Sequence, residues 1–80
     1  MIEIVQGITV DPQVRFGRPV IRGTRVPVAT VISKMAAGLS FEEVIKEYEI
    51  THQDILNALK YAALRLADEQ IWLTEETLAS

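Results

Sequence analysis

A chain of 80 residues with 49% apolar and 24% charged side chains is one small globular domain rather than a disordered tail. The absence of cysteine excludes disulfides and thiolate zinc sites, no apolar run reaches the roughly 18 residues of a bilayer span, and the opening Met1-Ile2-Glu3-Ile4-Val5 lacks the order of a secretion signal, so a cytoplasmic protein is expected. The net charge of −3 is unevenly divided: residues 1–34 hold five cations and two acids, net +3, whereas residues 35–80 hold three cations and nine acids, net −6. Such a split suggests two surfaces with different partners, the simpler alternative being acids that only solvate helices.

In chain order, residues 1–26 read as a strand-and-turn arm. Ile2-Glu3-Ile4 and Ile8-Thr9-Val10 alternate at the strand period. Asp11-Pro12 and Gly17-Arg18-Pro19 are turn signals, and Val20-Ile21 is a further short apolar run ended by Gly23. Pieces this short make no stable sheet alone and must lie on helices or pair with another chain. Residues 27–69 carry the helical period. After Pro27, Val28, Val31, Ile32 and Met35 mark one helix face, and Gly38 is placed to end it in left-handed conformation. Ser40-Phe41-Glu42-Glu43 is a capping box that opens a helix of about eight residues with Val44, Ile45 and Tyr48 on its inner face. Thr51-His52-Gln53-Asp54 is a weaker version of the same cap, opening a third helix whose inner stripe is Ile55, Leu59, Ala62 and Leu66 and which runs to about Glu69. Residues 70–80 form a tail that mixes Ile71, Trp72 and Leu73 with acids.

Helix, short turn, helix is the spacing of a helix-turn-helix DNA reader, in which the second helix enters the major groove. The expected fold is therefore mainly α, a three-helix helix-turn-helix domain of homeodomain-like or winged type with short N-terminal strands. The outer face of the third helix would present Gln53, Asn57 and Lys60, side chains suited to adenine, guanine or phosphate. Thr51, His52 and the amides of that first turn could meet phosphate. Upstream, Arg15, Arg18, Arg22 and Arg25 fall within eleven residues spaced by Gly and Pro, a pattern suited to gripping phosphate. The structural alternative is that Arg22 and Arg25 pair with Glu42, Glu43 or Glu47 and hold the strands on the helices. Arg15 and Arg18 favour phosphate, Arg25 the structural role, and Arg22 stays open.

The runs Ile8-Thr9-Val10-Asp11-Pro12, Gly17-Arg18-Pro19-Val20-Ile21-Arg22-Gly23-Thr24-Arg25-Val26-Pro27-Val28, Ala37-Gly38-Leu39-Ser40 and residues 48–63 resemble the bacterial domain of unknown function 433 family, whose members are similar to VapB-type antitoxins. The resemblance covers about residues 8–64. It implies a winged or homeodomain-like helix-turn-helix with motif helices at 41–48 and 51–64, and a toxin partner of the PIN-like ribonuclease class. Arg15-Phe16 departs from the small or mixed residues common at that place, which points to a specialised tip.

An enzyme finds little support. The single histidine, His52, sits at a helix start, and the adjacent Glu42 and Glu43 point about 100° apart on a helix and do not converge as an acid–base pair. No phosphate loop, nucleophile elbow or metal cluster is evident, so no cofactor is expected. The reading is an antitoxin that binds operator DNA and neutralises a ribonuclease through Ile71, Trp72 and Leu73 in the acidic C-terminal segment. The rival is a protein-interaction module that reads no DNA. Trp72 has a structural alternative in closing its own core. A homodimer is expected from the small core and the apolar N-terminal strand.

Overall fold

The computed structural model describes residues 1–67. Three short strands, β1 (Ile2–Val5), β2 (Ile8–Val10) and β3 (Val20–Ile21), precede three helices, α1 (Val28–Ala36), α2 (Phe41–Tyr48) and α3 (His52–Ala67). The strands form one antiparallel sheet in the order β1-β2-β3. Ile2 faces Val10 and Glu3 faces Thr9, but Val5 faces Ile8, so a bulge interrupts the register between Glu3 and Val5.

The sheet solves the instability of its short strands by lying on the helices. Ile8 and its cross-strand partner Ile21 are fully buried in the same apolar cluster as Val28, Val31, Val44, Ile50, Ile55 and Ala58. Removing one Ile or Val side chain of this kind from water contributes about 1.5–3 kcal/mol. Residues 20–27 knit β3 to the start of α1. Ile21 donates to the Val26 carbonyl, Val28 donates to the Pro19 carbonyl, and the Thr24 hydroxyl donates to the Ile21 carbonyl while accepting from the Val26 amide. This loop closes its own polar groups, as a covered backbone must.

Each helix starts and stops for a local reason. Pro27 is the N-cap of α1, and Val28, Val31, Ile32 and Met35 supply its core-facing side. Gly38, at φ +98°, ends it: Gly38 donates to the Met35 carbonyl and Leu39 to that of Lys34. The Ser40 capping box opens α2 with both of its bonds formed. The turn into α3 has no glycine, and Glu49 takes the left-handed position at φ +54°, with Ile50 donating back to the Ile45 carbonyl. Thr51 and Asp54 then close a second box, the Thr51 amide donating to the Asp54 carboxylate at 2.9 Å and the Asp54 amide to the Thr51 hydroxyl at 3.0 Å.

One expectation for α3 fails. Its inner stripe is Ile55, Ala58, Leu59 and Tyr61, whereas Leu66 is 63% exposed. The 3.6-residue period places Leu66 correctly in angle, but its side chain lines an open groove against α1 instead of a filled core. Among the described residues no helix is long and apolar enough to cross a membrane.

Candidate nucleic-acid interface

Two exposed clusters hold the residues that chemistry would select for nucleic acid. The first is the outer face of α3. Gln53 and Lys60 are exposed, and Asn57 between them is half-buried. The Gln53 amide donates to Asn57 Oδ1 at 3.1 Å, so one acceptor of the proposed reading face is already engaged. Asn57 also lies against Gly7 in the β1–β2 turn, where a Cβ would run into its amide. Gly7 has φ +80°, so two separate constraints demand glycine there. The expectation that Gln53, Asn57 and Lys60 all point freely outward thus holds for Gln53 and Lys60, while Asn57 is shared with the hairpin. The sequence could not show this, because nothing local to residue 57 announces a turn fifty residues upstream.

The first turn of α3 is pinned. His52 stacks on Phe41 with ring centroids 4.7 Å apart, which ties the first turns of α2 and α3 together. The Thr51 hydroxyl accepts from the Asp54 amide, and the Asp54 carboxylate accepts from the Thr51 amide. Glu43 plays the same part at α2, and its bonds from the Ser40 amide and then the Ser40 side chain hold its carboxyl below the usual carboxylate range. The N-termini of α2 and α3 therefore each carry their own anion, which complements the helix dipole from within the chain.

The second cluster is the arginine segment. Residues Arg15–Gly17 form one tight turn in which all three residues have positive φ, +53°, +59° and +78°. Gly17 donates to the Val14 carbonyl and Arg18 to that of Arg15. For residues with a Cβ this backbone costs roughly 1–2 kcal/mol each. Phe16 at its tip is 100% exposed, and Arg15 and Arg18 flank it, both exposed. Sequence reasoning does not count Phe16 among the contact residues. The signal available was a large apolar residue between arginines in a turn.

Arg22 and Arg25 do not behave as the structural alternative supposed. Neither pairs with Glu42, Glu43 or Glu47; the ion pair among the described residues joins Arg22 to Glu3 at 3.1 Å. The same Glu3 carboxylate accepts from the Gly7 amide, so it ties β1, the hairpin turn and the end of β3. Ile71, Trp72 and Leu73 lie outside the described residues. Among the described residues no group of three or more His, Asp or Glu side chains could hold a metal ion.

An apolar groove of about 570 Å³ runs between α1 and α3, lined by Pro27, Val28, Ile32, Tyr61 and Leu66, with Arg18 and Arg65 also on its walls. The β1 edge, where Ile2 and Ile4 are 68% and 42% exposed, is a further apolar surface.

Comparison with known proteins places this architecture. The chain is 35% identical over 52 residues to the Mycobacterium tuberculosis protein named "Putative antitoxin VapB45", a match covering 65% of this chain and 22% of that one. It is 44% identical over 41 residues to the uncharacterised protein y4eO of Sinorhizobium fredii, covering 51% and 19%. Among solved structures, Rv2018 from Mycobacterium tuberculosis superposes with a TM-score of 0.61 at 35% identity, covering 65% of this chain and 24% of that one. A DUF433 member from Anabaena variabilis superposes with a TM-score of 0.68 at 30% identity, covering 72% and 58%. The chain spans about a fifth of the length of the two curated relatives. The pattern of the family described as "Protein of unknown function (DUF433)" matches residues 8–62, which hold β2, β3 and nearly all of the helical core, and the chain belongs to that family.

Proposed function

We propose that this protein is the antitoxin of a toxin–antitoxin pair, that it binds its operator DNA, and that it neutralises a PIN-like ribonuclease. The observation that carries the antitoxin part is the match to a relative bearing that name across 65% of the chain. The DNA part is supported by the division of charge. Exposed arginines cluster at residues 15–25, while α2 presents Glu42, Glu43 and Glu47 to solvent. A basic surface attracts the phosphate backbone and an acidic one suits a basic protein partner.

In this reading α2, the Glu49 turn and α3 act as a helix-turn-helix of homeodomain-like or winged type. Gln53, Asn57 and Lys60 face the groove, Thr51 and His52 lie at its phosphate rim, and Arg15, Arg18 and Arg22 hold backbone phosphates. The capping carboxylates of Glu43 and Asp54 oppose phosphate at the helix starts, so the arginine segment supplies most of the attraction. The acidic C-terminal segment with Ile71, Trp72 and Leu73 covers the ribonuclease. The chain works as a homodimer, with the apolar β1 edge and the α1–α3 groove as candidate contacts, and a two-fold dimer suits a palindromic operator.

The test has two arms. The product of the adjoining reading frame is expressed alone and together with this chain; relief of growth arrest supports the antitoxin assignment, and persistent arrest contradicts it. A duplex from immediately upstream of the gene is then titrated with the protein at low salt. Binding there supports the regulator. Relief of arrest with no duplex binding leaves the rival, an interaction module that reads no DNA, a reading favoured by the acids at both helix starts.

A further inference from the structure

We propose that Phe16 is an inserting side chain, which enters a base step of duplex DNA from the minor groove while Arg15 and Arg18 hold the phosphates on either side. The inference rests on the DNA-binding reading above and adds a mode of contact to it.

Single exposed apolar residues are ordinary on protein surfaces, and exposure by itself would carry nothing. Here three further observations converge on the same residue. The backbone of Arg15, Phe16 and Gly17 is left-handed throughout, at φ +53°, +59° and +78°, although two of the three residues have side chains that disfavour it. Strained backbone of this sort persists where surrounding structure fixes it and concentrates at functional sites. Burial does not offset the strain, because Phe16 is wholly exposed. The turn is nonetheless closed by two hydrogen bonds, Gly17 to the Val14 carbonyl and Arg18 to the Arg15 carbonyl, so the phenyl ring is presented rather than left on a loose loop.

The flanking chemistry selects the partner. Arg15 precedes Phe16 and Arg18 follows it two positions on, the three side chains line one small surface pocket, and the ion pair found among the described residues occupies neither arginine. An exposed apolar tip with two arginines beside it matches the surface of a duplex, stacked apolar base steps between two phosphate strands. A narrow tip fits the minor groove, about 6 Å wide, where apolar wedges partly unstack a step and kink the helix.

The experiment uses a duplex from immediately upstream of the gene, with 2-aminopurine placed at successive positions, and the full-length protein. Wild type is expected to raise the emission at one step, which reports unstacking. Phe16→Ala should abolish that rise and weaken binding about tenfold, with an unchanged dependence on salt because no charge is lost. Phe16→Leu, still an apolar wedge, should keep part of both effects. Arg15→Gln and Arg18→Gln should each lower the slope of log affinity against log salt by about one. Melting of Phe16→Ala should match wild type, since the ring touches no core.

Wild-type binding with a steep salt slope, but no emission change and no loss with Phe16→Ala, overturns the insertion and leaves the DNA reading intact. Loss of ribonuclease binding by Phe16→Ala with duplex binding unchanged also overturns it, by making the ring a protein contact. Absence of wild-type duplex binding at low salt removes the DNA reading and the insertion together.

Discussion

Among the described residues two turns carry side chains into left-handed backbone, and they do so under opposite conditions. The turn at Glu49 lies between packed helices. Its neighbours Tyr48 and Ile50 belong to the core or its edge, and Ile50 reaches back to the Ile45 carbonyl. There the conformational cost is offset by burial and by a helix ending that satisfies its carbonyls. The turn at Arg15–Gly17 has no such return. Its tip is the fully exposed Phe16, with hydrogen bonds only to its own segment. The contrast teaches that the same strain has different meanings. Between α2 and α3 it is part of folding, and at the arginine tip it is a geometry held ready for something outside the chain.

Mutations can break or sharpen that contrast. The largest effect is expected at another left-handed position, Gly7, where packing and backbone agree. Gly7→Ala should lose about 2–4 kcal/mol in urea unfolding, from left-handed strain and overpacking on Asn57. Asn57→Ala should recover part of that loss in a double-mutant cycle; full additivity would deny the contact. Next, Glu49→Gly should stabilise by about 0.5–1 kcal/mol, the strain relieved exceeding the added entropy of the unfolded glycine. Phe16→Gly should stabilise by a similar amount in the same assay. Phe16→Ala, which keeps the Cβ, should stay within about 0.5 kcal/mol of wild type, and a loss near 2 kcal/mol would mean that the ring packs on the domain after all.

The smallest effect is a pH dependence at the α2 cap. The folded-state pKa of Glu43 is lowered by its Ser40 bonds. Its contribution is therefore present above the ordinary carboxylate pKa and is lost as pH falls through the lowered value. Glu43→Gln should lower the neutral plateau slightly and flatten the acid side of the stability curve below about pH 4.5, so that the two proteins converge at low pH. An unchanged acid slope would assign the bonds no thermodynamic weight.

Periodicity and turn chemistry made much of the fold legible. The face of α1, the capping box of α2, the weaker box at Thr51 and the glycine stop at Gly38 are local patterns written within four residues of each other, and the structure forms each one. Long-range relations were not legible. Glu3 as the partner of Arg22 spans nineteen positions, and the Gly7–Asn57 contact spans fifty; neither has a periodic or compositional trace. Glu49 was illegible for another reason, since glycine is the usual signal for that position and the tertiary packing accepts glutamate instead. Leu66 had the right angular period but faces an open groove against α1, a fact about how far the helices stand apart that spacing does not encode. For the candidate site, residue types identified the arginine segment, whereas the pose of Phe16 depends on three consecutive φ values that composition leaves open.

The most direct measurement is the salt dependence of binding to the upstream duplex for wild type and for the double variant Arg15→Gln/Arg18→Gln. The account predicts a steep fall of log affinity with log salt for wild type and a slope smaller by about two for the double variant. An identical slope for the two proteins would contradict it, because the arginine turn would then hold no phosphate.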